Sequence, residues 1–395
     1  MERFSEHRPS QAIVNLAAIQ QNIALVKERL EPGQVLYATV KANAYGLGAV
    51  PVAKAALEAG AQGFAVATVD EGIELRQAGI SEAPILVLGL TDPRGIAEIL
   101  YYKLTVTVSD LDFLKEAYQQ LEVSKEIYLL EDHQLKIHLA LDTGMTRIGL
   151  RSKAEVEAFA QGVAAYPWVD WEGAFTHFST AGGGPQDYID YQWQRWLDLS
   201  SALPDSVQLR HYANSAMGLW HHRQPASSIV RYGIAMYGLD PMDRLPRNLA
   251  DQVDSPSLGR NDGDDLYPAL SLVSEIVYVK EVAKGTKISY GASYESQDQE
   301  WIATIPIGYA DGWLRSYHDV PVLIEGHACP VVGRINMDQM MVRLPHFHPK
   351  GTPVTLIGPD HGGYNHISDI AQQVGTIGYE IMTNISDRIP RVYLS

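Results

Sequence analysis

The run Val35-Leu36-Tyr37-Ala38-Thr39-Val40-Lys41-Ala42-Asn43-Ala44-Tyr45-Gly46 decides the fold. Its first six residues are mostly apolar and do not alternate cleanly with polar ones, as expected of a parallel strand covered on both faces. Seven further runs of this kind follow: Phe64–Val69, Pro84–Leu90, Thr105–Val108, Leu135–Leu141, Trp171–Phe178, Val207–Tyr212 and Ser228–Tyr232. Helix-period segments lie between them, among them Pro51–Ala59, Glu71–Ala78, Lys153–Ala165 and Asp187–Leu203. Upstream, Asn15 is placed to cap a helix carrying Leu16, Ile19, Ile23, Val26 and Leu30 on one stripe. Strand–helix alternation implies parallel βαβ units, and about eight of them predict a closed (β/α)8 (TIM) barrel.

The pattern changes between Pro241 and Pro268, a stretch rich in Asp, Asn, Pro, Gly and Arg that reads as a linker or surface excursion. Beyond it come β-branched runs broken by glycine: Leu272–Val279, Lys287–Tyr290, Ile302–Ile307, Val322–Ile324, Val331–Ile335, Met340–Leu344 and Val354–Ile357. These predict a C-terminal, mostly antiparallel β domain closed by helical pieces at Ile367–Val374 and Tyr379–Ile385. The expected fold class is therefore α/β, with a barrel domain over residues 12–255 and a β domain over 256–395.

Composition sets the outer bounds. The chain has 395 residues, with 31 Lys+Arg against 47 Asp+Glu for a formal charge of −16. This acidic balance argues against nucleic acid and anionic membrane as partners, both of which need a basic footprint. Cys329 is the single cysteine, which excludes an intrachain disulfide and a cysteine-based zinc site. With no apolar h-region over Met1–Asn15 and no run of about 18 apolar residues, the chain reads as cytoplasmic. His221-His222 and His346-Phe347-His348 lack the helical i, i+4 spacing with a glutamate and read as solvated surface histidines, so no metal is expected.

Lys41 stands at the carboxyl end of the first barrel strand, where a barrel builds its active site. A lysine there serves as a Schiff-base or general-base residue, or merely snorkels at a strand end. After the seventh strand comes His211-Tyr212-Ala213-Asn214-Ser215-Ala216, and after the eighth Arg231-Tyr232-Gly233-Ile234-Ala235. Barrels often bind phosphate with these two loops, and Ser215 opening a helix and Gly233 permitting close backbone approach suit that role. A lysine amine with a phosphate cradle suggests pyridoxal phosphate.

Collinear blocks give a family resemblance. The Val40–Gly46 block resembles the cofactor-lysine signature of alanine racemases. It is followed by Leu141-Asp142-Thr143-Gly144-Met145-Thr146-Arg147, Phe175-Thr176-His177-Phe178, Ala213-Asn214-Ser215 and Arg231–Gly238. Then come Ile288-Ser289-Tyr290-Gly291, Pro306–Gly312 and Gly333-Arg334-Ile335-Asn336-Met337-Asp338-Gln339. The resemblance implies a pyridoxal-phosphate enzyme interconverting L- and D-alanine to supply peptidoglycan, as a head-to-tail homodimer with shared active sites. Lys41 would hold the cofactor and act as the base on the D face, and Tyr290 from the partner subunit would act on the L face. His177, bonded to Arg231, would support Tyr290, while Arg231 would meet the pyridine nitrogen. Tyr45, Asn214, Ser215, Gly233, Ile234 and Tyr379 would hold the cofactor, largely through its phosphate. Arg147 and the Met337 amide would meet the substrate carboxylate, Asp338 would support them, and Tyr309 and Tyr379 would narrow the access route.

Three departures mark this sequence. Ala140 stands where many relatives carry a carbamylated lysine that orients the arginine, Asn336 where a cysteine is common, and Gly182 where an acidic residue is common. They leave open what positions Arg147, and they favour a broader-specificity amino-acid racemase, acting for example on serine, as the alternative. A fold-related decarboxylase is disfavoured because Cys329 lies outside any matching motif. A non-catalytic cofactor-binding barrel is disfavoured by the second domain.

Overall fold

A computed structural model describes residues 7–221, 223–242 and 266–395. The chain divides into two compact units, one of Gln20–Ala44 and Ala49–Met236, the other of residues up to Ile19, Tyr45–Gly48 and the chain from Tyr237. The expected boundary at residues 255 and 256, and most of the expected linker, lie outside the described residues.

The first unit is the barrel. Strand β1 (Gln11–Asn15) precedes it, and its staves are β2 (Val35–Thr39), β3 (Gly63–Val66), β4 (Ile85–Leu90), β5 (Thr105–Val108), β6 (Leu135–Ala140), β7 (Val169–Phe175), β8 (Leu209–His211) and β9 (Ile229–Tyr232). They form an 8-stranded parallel sheet in the order β8-β7-β6-β5-β4-β3-β2-β9. The ring closes through a parallel bridge between Ala213 and Val230 and the Ser228 N–H donating to the Arg210 carbonyl at 3.0 Å. Every residue of β3 and β5 is buried, which explains why these runs show no alternation. Helix starts follow local chemistry: Thr68 with Glu71 and Ser152 with Glu155 form capping boxes. Asn15 accepts the Ala18 N–H at 3.0 Å, the cap expected from sequence, and Ile19, Ile23 and Val26 are buried. No helix among the described residues is long and apolar enough to cross a membrane.

The second unit is mostly β. Its strands are β10 (Leu270–Glu275), β11 (Tyr278–Val282), β12 (Lys287–Ile288), β13 (Tyr294–Glu295), β14 (Glu300–Ile305), β15 (Val322–Ile324), β16 (His327–Cys329), β17 (Met340–Leu344), β18 (Pro353–Asp360), β19 (Gly363–Asn365) and β20 (Arg391–Leu394). The largest sheet runs β16-β15-β18-β10-β1-β20, with β19 on β18, and a second runs β11-β14-β17. One expectation fails here, and one strand was not expected. Val331–Ile335 is no strand: Gly333 turns the chain at φ +75°, leaving one bridge from Val331 to Val342. Strand β1, which no sequence pattern announces, lies between β10 and β20 and pairs parallel with β20.

Asp311 fastens this unit. Its side chain is fully buried and accepts from Arg8 Nη2 at 2.7 Å, Arg8 Nη1 at 3.1 Å and the Gly308 N–H at 3.0 Å, with Arg388 Nε at 3.5 Å. Asp311→Asn takes from Arg8 the carboxylate it grips with both Nη atoms, while Arg388 keeps Asp338 at 2.8 Å. Because Arg8 is partly exposed, the loss should be roughly 3 kcal/mol, read as a lower urea midpoint, and an unshifted midpoint would contradict the role given to this ion pair.

Candidate active site

At the carboxyl end of β2 the backbone turns left-handed. Ala42, Asn43 and Ala44 have φ of 52°, 53° and 52°, and Tyr45 follows at 55°. For L-residues each such position costs about 1–2 kcal/mol, so neighbouring bonds must hold the turn. The Ala44 N–H donates to the Val40 carbonyl at 2.8 Å, and the Asn43 side chain accepts the Ala49 N–H at 2.8 Å. The Glu71 carboxylate accepts the Ala42 N–H at 2.6 Å on one oxygen and the Ala67 N–H at 2.7 Å on the other. One side chain thus caps its own helix and clamps the turn that carries Lys41. Burial lowers the Lys41 pKa, Arg147 and Arg231 lower it further, and Glu71 partly offsets them. The result is an amine that gives up its proton more readily than an ordinary lysine.

A chain of hydrogen bonds crosses the barrel interior behind it. Arg231, 4% exposed, donates from Nη1 to His211 Nδ1 at 2.6 Å and from Nη2 to the Thr176 carbonyl at 2.8 Å and the Tyr212 carbonyl at 3.4 Å. His211 Nε2 lies 2.8 Å from His138 Nδ1, and His138 Nε2 lies 3.3 Å from Glu172 Oε1. Lys136 closes the chain at 2.7 Å from the other Glu172 oxygen. Because a guanidinium only donates, His211 Nδ1 must accept, and both imidazole protons must sit on Nε2, pointing toward Glu172. Burial holds His138 and His211 below the ordinary histidine range, His211 well below. Burial opposes ionisation of Glu172, but hydrogen bonds from His138 and Lys136 outweigh it and lower its pKa to about 2. Burial, with Arg147 adding, lowers Arg231 to about 9, which leaves it cationic at neutral pH.

The hydrogen bond expected between His177 and Arg231 is not made. The guanidinium spends its bonds on His211 and two carbonyls, and acts on His177 only through space. Burial first, then Arg231, Arg147 and Lys41, lower His177 to about 3, so it is neutral. Among the described residues Arg147 forms no hydrogen bond; it lines a small cavity with Ala140, Asp142, Phe175, Thr176 and His177. Ala140 is 1% exposed and its side chain offers no polar atom to orient it. The turn carrying Arg147 is organised instead by Asp142, which accepts the Gly144 N–H at 3.0 Å and the Thr146 N–H at 2.8 Å. Gln192, fully buried, donates to the His177 carbonyl at 3.1 Å and to Thr143 Oγ1 at 3.2 Å, tying the loops after β6 and β7 together.

The loops after β8 and β9 are joined as well. Asn214 caps helix Ser215–Trp220 by accepting the Met217 N–H at 3.0 Å and donates to the Phe178 carbonyl at 3.2 Å. Ser215 Oγ accepts the Gly233 N–H at 2.9 Å, and Ile234, which follows, is buried.

The remaining expected residues belong to the second unit. Tyr45, buried, stacks at a tilt on Tyr237 at 4.7 Å and on Tyr379 at 6.0 Å. Tyr290 is 71% exposed, on a turn where Ser289, Gly291 and Ala292 all have positive φ. That turn is held by Ser289 Oγ, which donates to the Arg334 carbonyl at 2.8 Å and accepts the Arg334 N–H at 3.1 Å. The Tyr309 N–H donates to the Asn336 carbonyl at 3.0 Å beside exposed Met337, an approach that requires glycine at position 308 because a Cβ there would sit 2.4 Å from the Met337 carbonyl oxygen. Asp338 accepts from Arg388 Nη2 at 2.8 Å.

Glu71, His138, Glu172, Gln192 and His211 take part in the site without having been expected from sequence. Only Glu71 carried a local signal, the Thr68-x-x-Glu71 capping box; the others sit on different elements of the barrel and meet only when those elements pack.

The chain resembles known proteins over nearly its whole length. The alanine racemase N-terminal domain family matches residues 14–241, and the alanine racemase C-terminal domain family matches 269–393. The alanine racemase of Ligilactobacillus salivarius is 46% identical over 391 residues, 99% of each chain. The crystal structure of alanine racemase from E. faecalis superposes with a TM-score of 0.89 at 40% identity, covering 100% of both chains. A histidine racemase from Leuconostoc mesenteroides, at 30% identity and full coverage of both, has a TM-score of 0.86, so the architecture alone does not select a side chain.

The buried neutral histidines predict acid sensitivity. His177 titrates near 3 when folded against an ordinary 6.5, so stability present above pH 6.5 is lost as the pH falls toward 3. Urea unfolding should show a midpoint that declines steadily below pH 6.5 and a shallower decline in His177→Gln. Identical pH profiles for the two proteins would contradict a neutral His177.

Proposed function

The chain belongs to the alanine racemase family and is an isomerase, and we propose that it interconverts L- and D-alanine with pyridoxal phosphate held by Lys41 and with Tyr290 of the partner subunit as the second base. The observation that carries this reading is Lys41 itself: a strand-end amine with a depressed pKa, electrostatically coupled to Arg147 and Arg231. The residues present suit a phosphorylated, anionic cofactor. Lys41, Arg147 and Arg231 concentrate positive charge at the strand ends. Arg231 uses three hydrogen bonds and so leaves two of its five N–H groups for a ring nitrogen. Ser215, Gly233 and Ile234, with Asn214 as the cap, suit a phosphate, and Tyr45 and Tyr379 are assigned to the same group.

When bound, the cofactor supplies an aldehyde for an amine to join and a conjugated ring that draws in the electron pair of the α-carbon–hydrogen bond. Two proton-carrying groups on opposite faces then erase stereochemical memory. Lys41 holds a proton on the D face and Tyr290 on the L face. Arg147 orients the substrate carboxylate, with the partner's Met337 amide. Asp338, through Arg388, steadies the Met337 segment. His177 is neutral, with Arg231 and Arg147 supplying the positive field around it, and it serves as the hydrogen-bond partner of Tyr290. Arg231 donates and cannot accept, so the ring nitrogen stays unprotonated, which limits how far electrons are withdrawn and suits an enzyme that moves one proton. The His211–His138–Glu172 chain positions Arg231. Tyr309 and Tyr379 narrow the access route and favour a methyl side chain; a broader-specificity racemase acting for example on serine is the alternative that the departures at Ala140 and Asn336 favour. A cytoplasmic, homodimeric enzyme supplying D-alanine for peptidoglycan fits this reading.

The exposed ring of Tyr290 on a pinned turn supports donation across a dimer: a large aromatic held out into solvent suits insertion into another subunit. Lys41→Ala should lose the near-visible absorption band of the holoenzyme together with at least about 1000-fold in rate, and an unchanged spectrum would refute its role. Tyr290→Phe should suppress deuterium washout from L-alanine far more than from D-alanine; equal losses count against two bases. Mixing the two inactive variants should restore activity, and no recovery despite proven subunit exchange would count against shared sites.

A further inference from the structure

The hairpin of β15 and β16 brings its turn beside the segment that follows β17. Glu325 opens that turn with φ +50°, and Gly326 follows at +80°, its N–H held by Asp360 at 2.8 Å. After β17 the chain reads His346-Phe347-His348. The middle ring packs edge-on against Trp301 at 5.0 Å, while the two imidazoles lie together at 4.4 Å between centroids. The expectation of solvated surface histidines holds for His346. It fails for His348, whose side chain is only 2% exposed and whose Nδ1 lies 3.5 Å from Glu325 Oε2. Its Nε2 is buried without a hydrogen-bond partner. One donor atom from each of Glu325, His346 and His348 falls within 4.8 Å of the others.

We propose that Glu325, His346 and His348 bind one divalent first-row cation of the zinc class, at a site that shares no residue with the lysine site of the barrel. Bonds of about 2.0–2.2 Å to nitrogen and oxygen place tetrahedral ligand atoms about 3.3–3.5 Å apart. The His348–Glu325 pair already has that spacing. Glu325 and His346 are exposed, so each can rotate by the remaining ångström while buried His348 stays as the fixed ligand. Two imidazoles and one carboxylate favour zinc, nickel or copper over magnesium or calcium, which prefer all-oxygen shells. Three protein ligands leave the fourth position to water or to His327, whose ring lies 5.7 Å from that of His346. The ion would join the β15–β16 hairpin to the chain after β17, on the far side of an intervening strand, and so stiffen that edge of the sheet.

The test is Zn2+ titrated into chelator-stripped holoenzyme, read by competition with a chromophoric chelator and by thermal midpoint. Wild type should bind one ion per chain and melt higher with Zn2+. His346→Asn and Glu325→Gln, both at exposed positions, should bind at least tenfold more weakly and lose the thermal shift, while racemase turnover without added metal stays at the wild-type level. His348→Gln should also lose binding, but the two exposed variants are decisive because they do not disturb a buried residue. Zinc bound equally by wild type and by both exposed variants would lie elsewhere and overturn the proposal, as would less than one equivalent bound by wild type.

Discussion

The buried guanidinium of Arg231 is the constraint on which the barrel's interior depends. A cation removed from water this completely costs several kcal/mol unless its donors are met, and the protein meets them with an imidazole and two backbone carbonyls rather than with a carboxylate. That choice has consequences down the line. The acceptor imidazole must turn its proton away, the next imidazole must do the same, and the negative charge that balances the row is placed at its far end, on Glu172. The counter-ion is thus kept distant from the working end of Arg231, which stays available as a donor, and neutral rings carry the orientation between them.

The strained turn after Lys41 shows a similar division between what is costly and what holds it. Four successive left-handed residues would relax if cut loose, and none of them is a glycine. Glu71 connects that turn to the start of the next helix, so the cap of one βα unit steadies the reactive end of the preceding one. A lysine on a relaxed turn would sample many directions; here the backbone has one conformation it can hold while Glu71 is in place.

How far these features were legible in the sequence depends on their range. The barrel strands were visible because parallel strands buried on both faces leave unbroken apolar runs, and the helices because their caps are local. The strand-end lysine and the loops at Ser215 and Gly233 were likewise visible, since each is marked within a few residues. His138 and His211 were not: a histidine in an apolar run looks the same whether it is packed or relaying orientation, and only ring closure brings strands β6 to β9 together. The partner expected for His177 was wrong for the same reason, since the choice between two nearby imidazoles is made by three-dimensional geometry. The burial of His348 escaped notice because its neighbours in sequence are polar or exposed, and its cover comes from a hairpin some twenty residues earlier.

Strand β1 carries a consequence for how the molecule comes into being. It occupies an inner place in the largest sheet of the second unit, flanked by β10 and β20, so β1 must wait for two strands made much later before both its edges are satisfied. Loop closure over that span is slow, and until then a row of unpaired amides and carbonyls stands open to foreign strands. A fragment beginning after residue 265 would lack the piece that joins β10 to β20, and would leave β20 a lone strand beside a sheet that stops at β10.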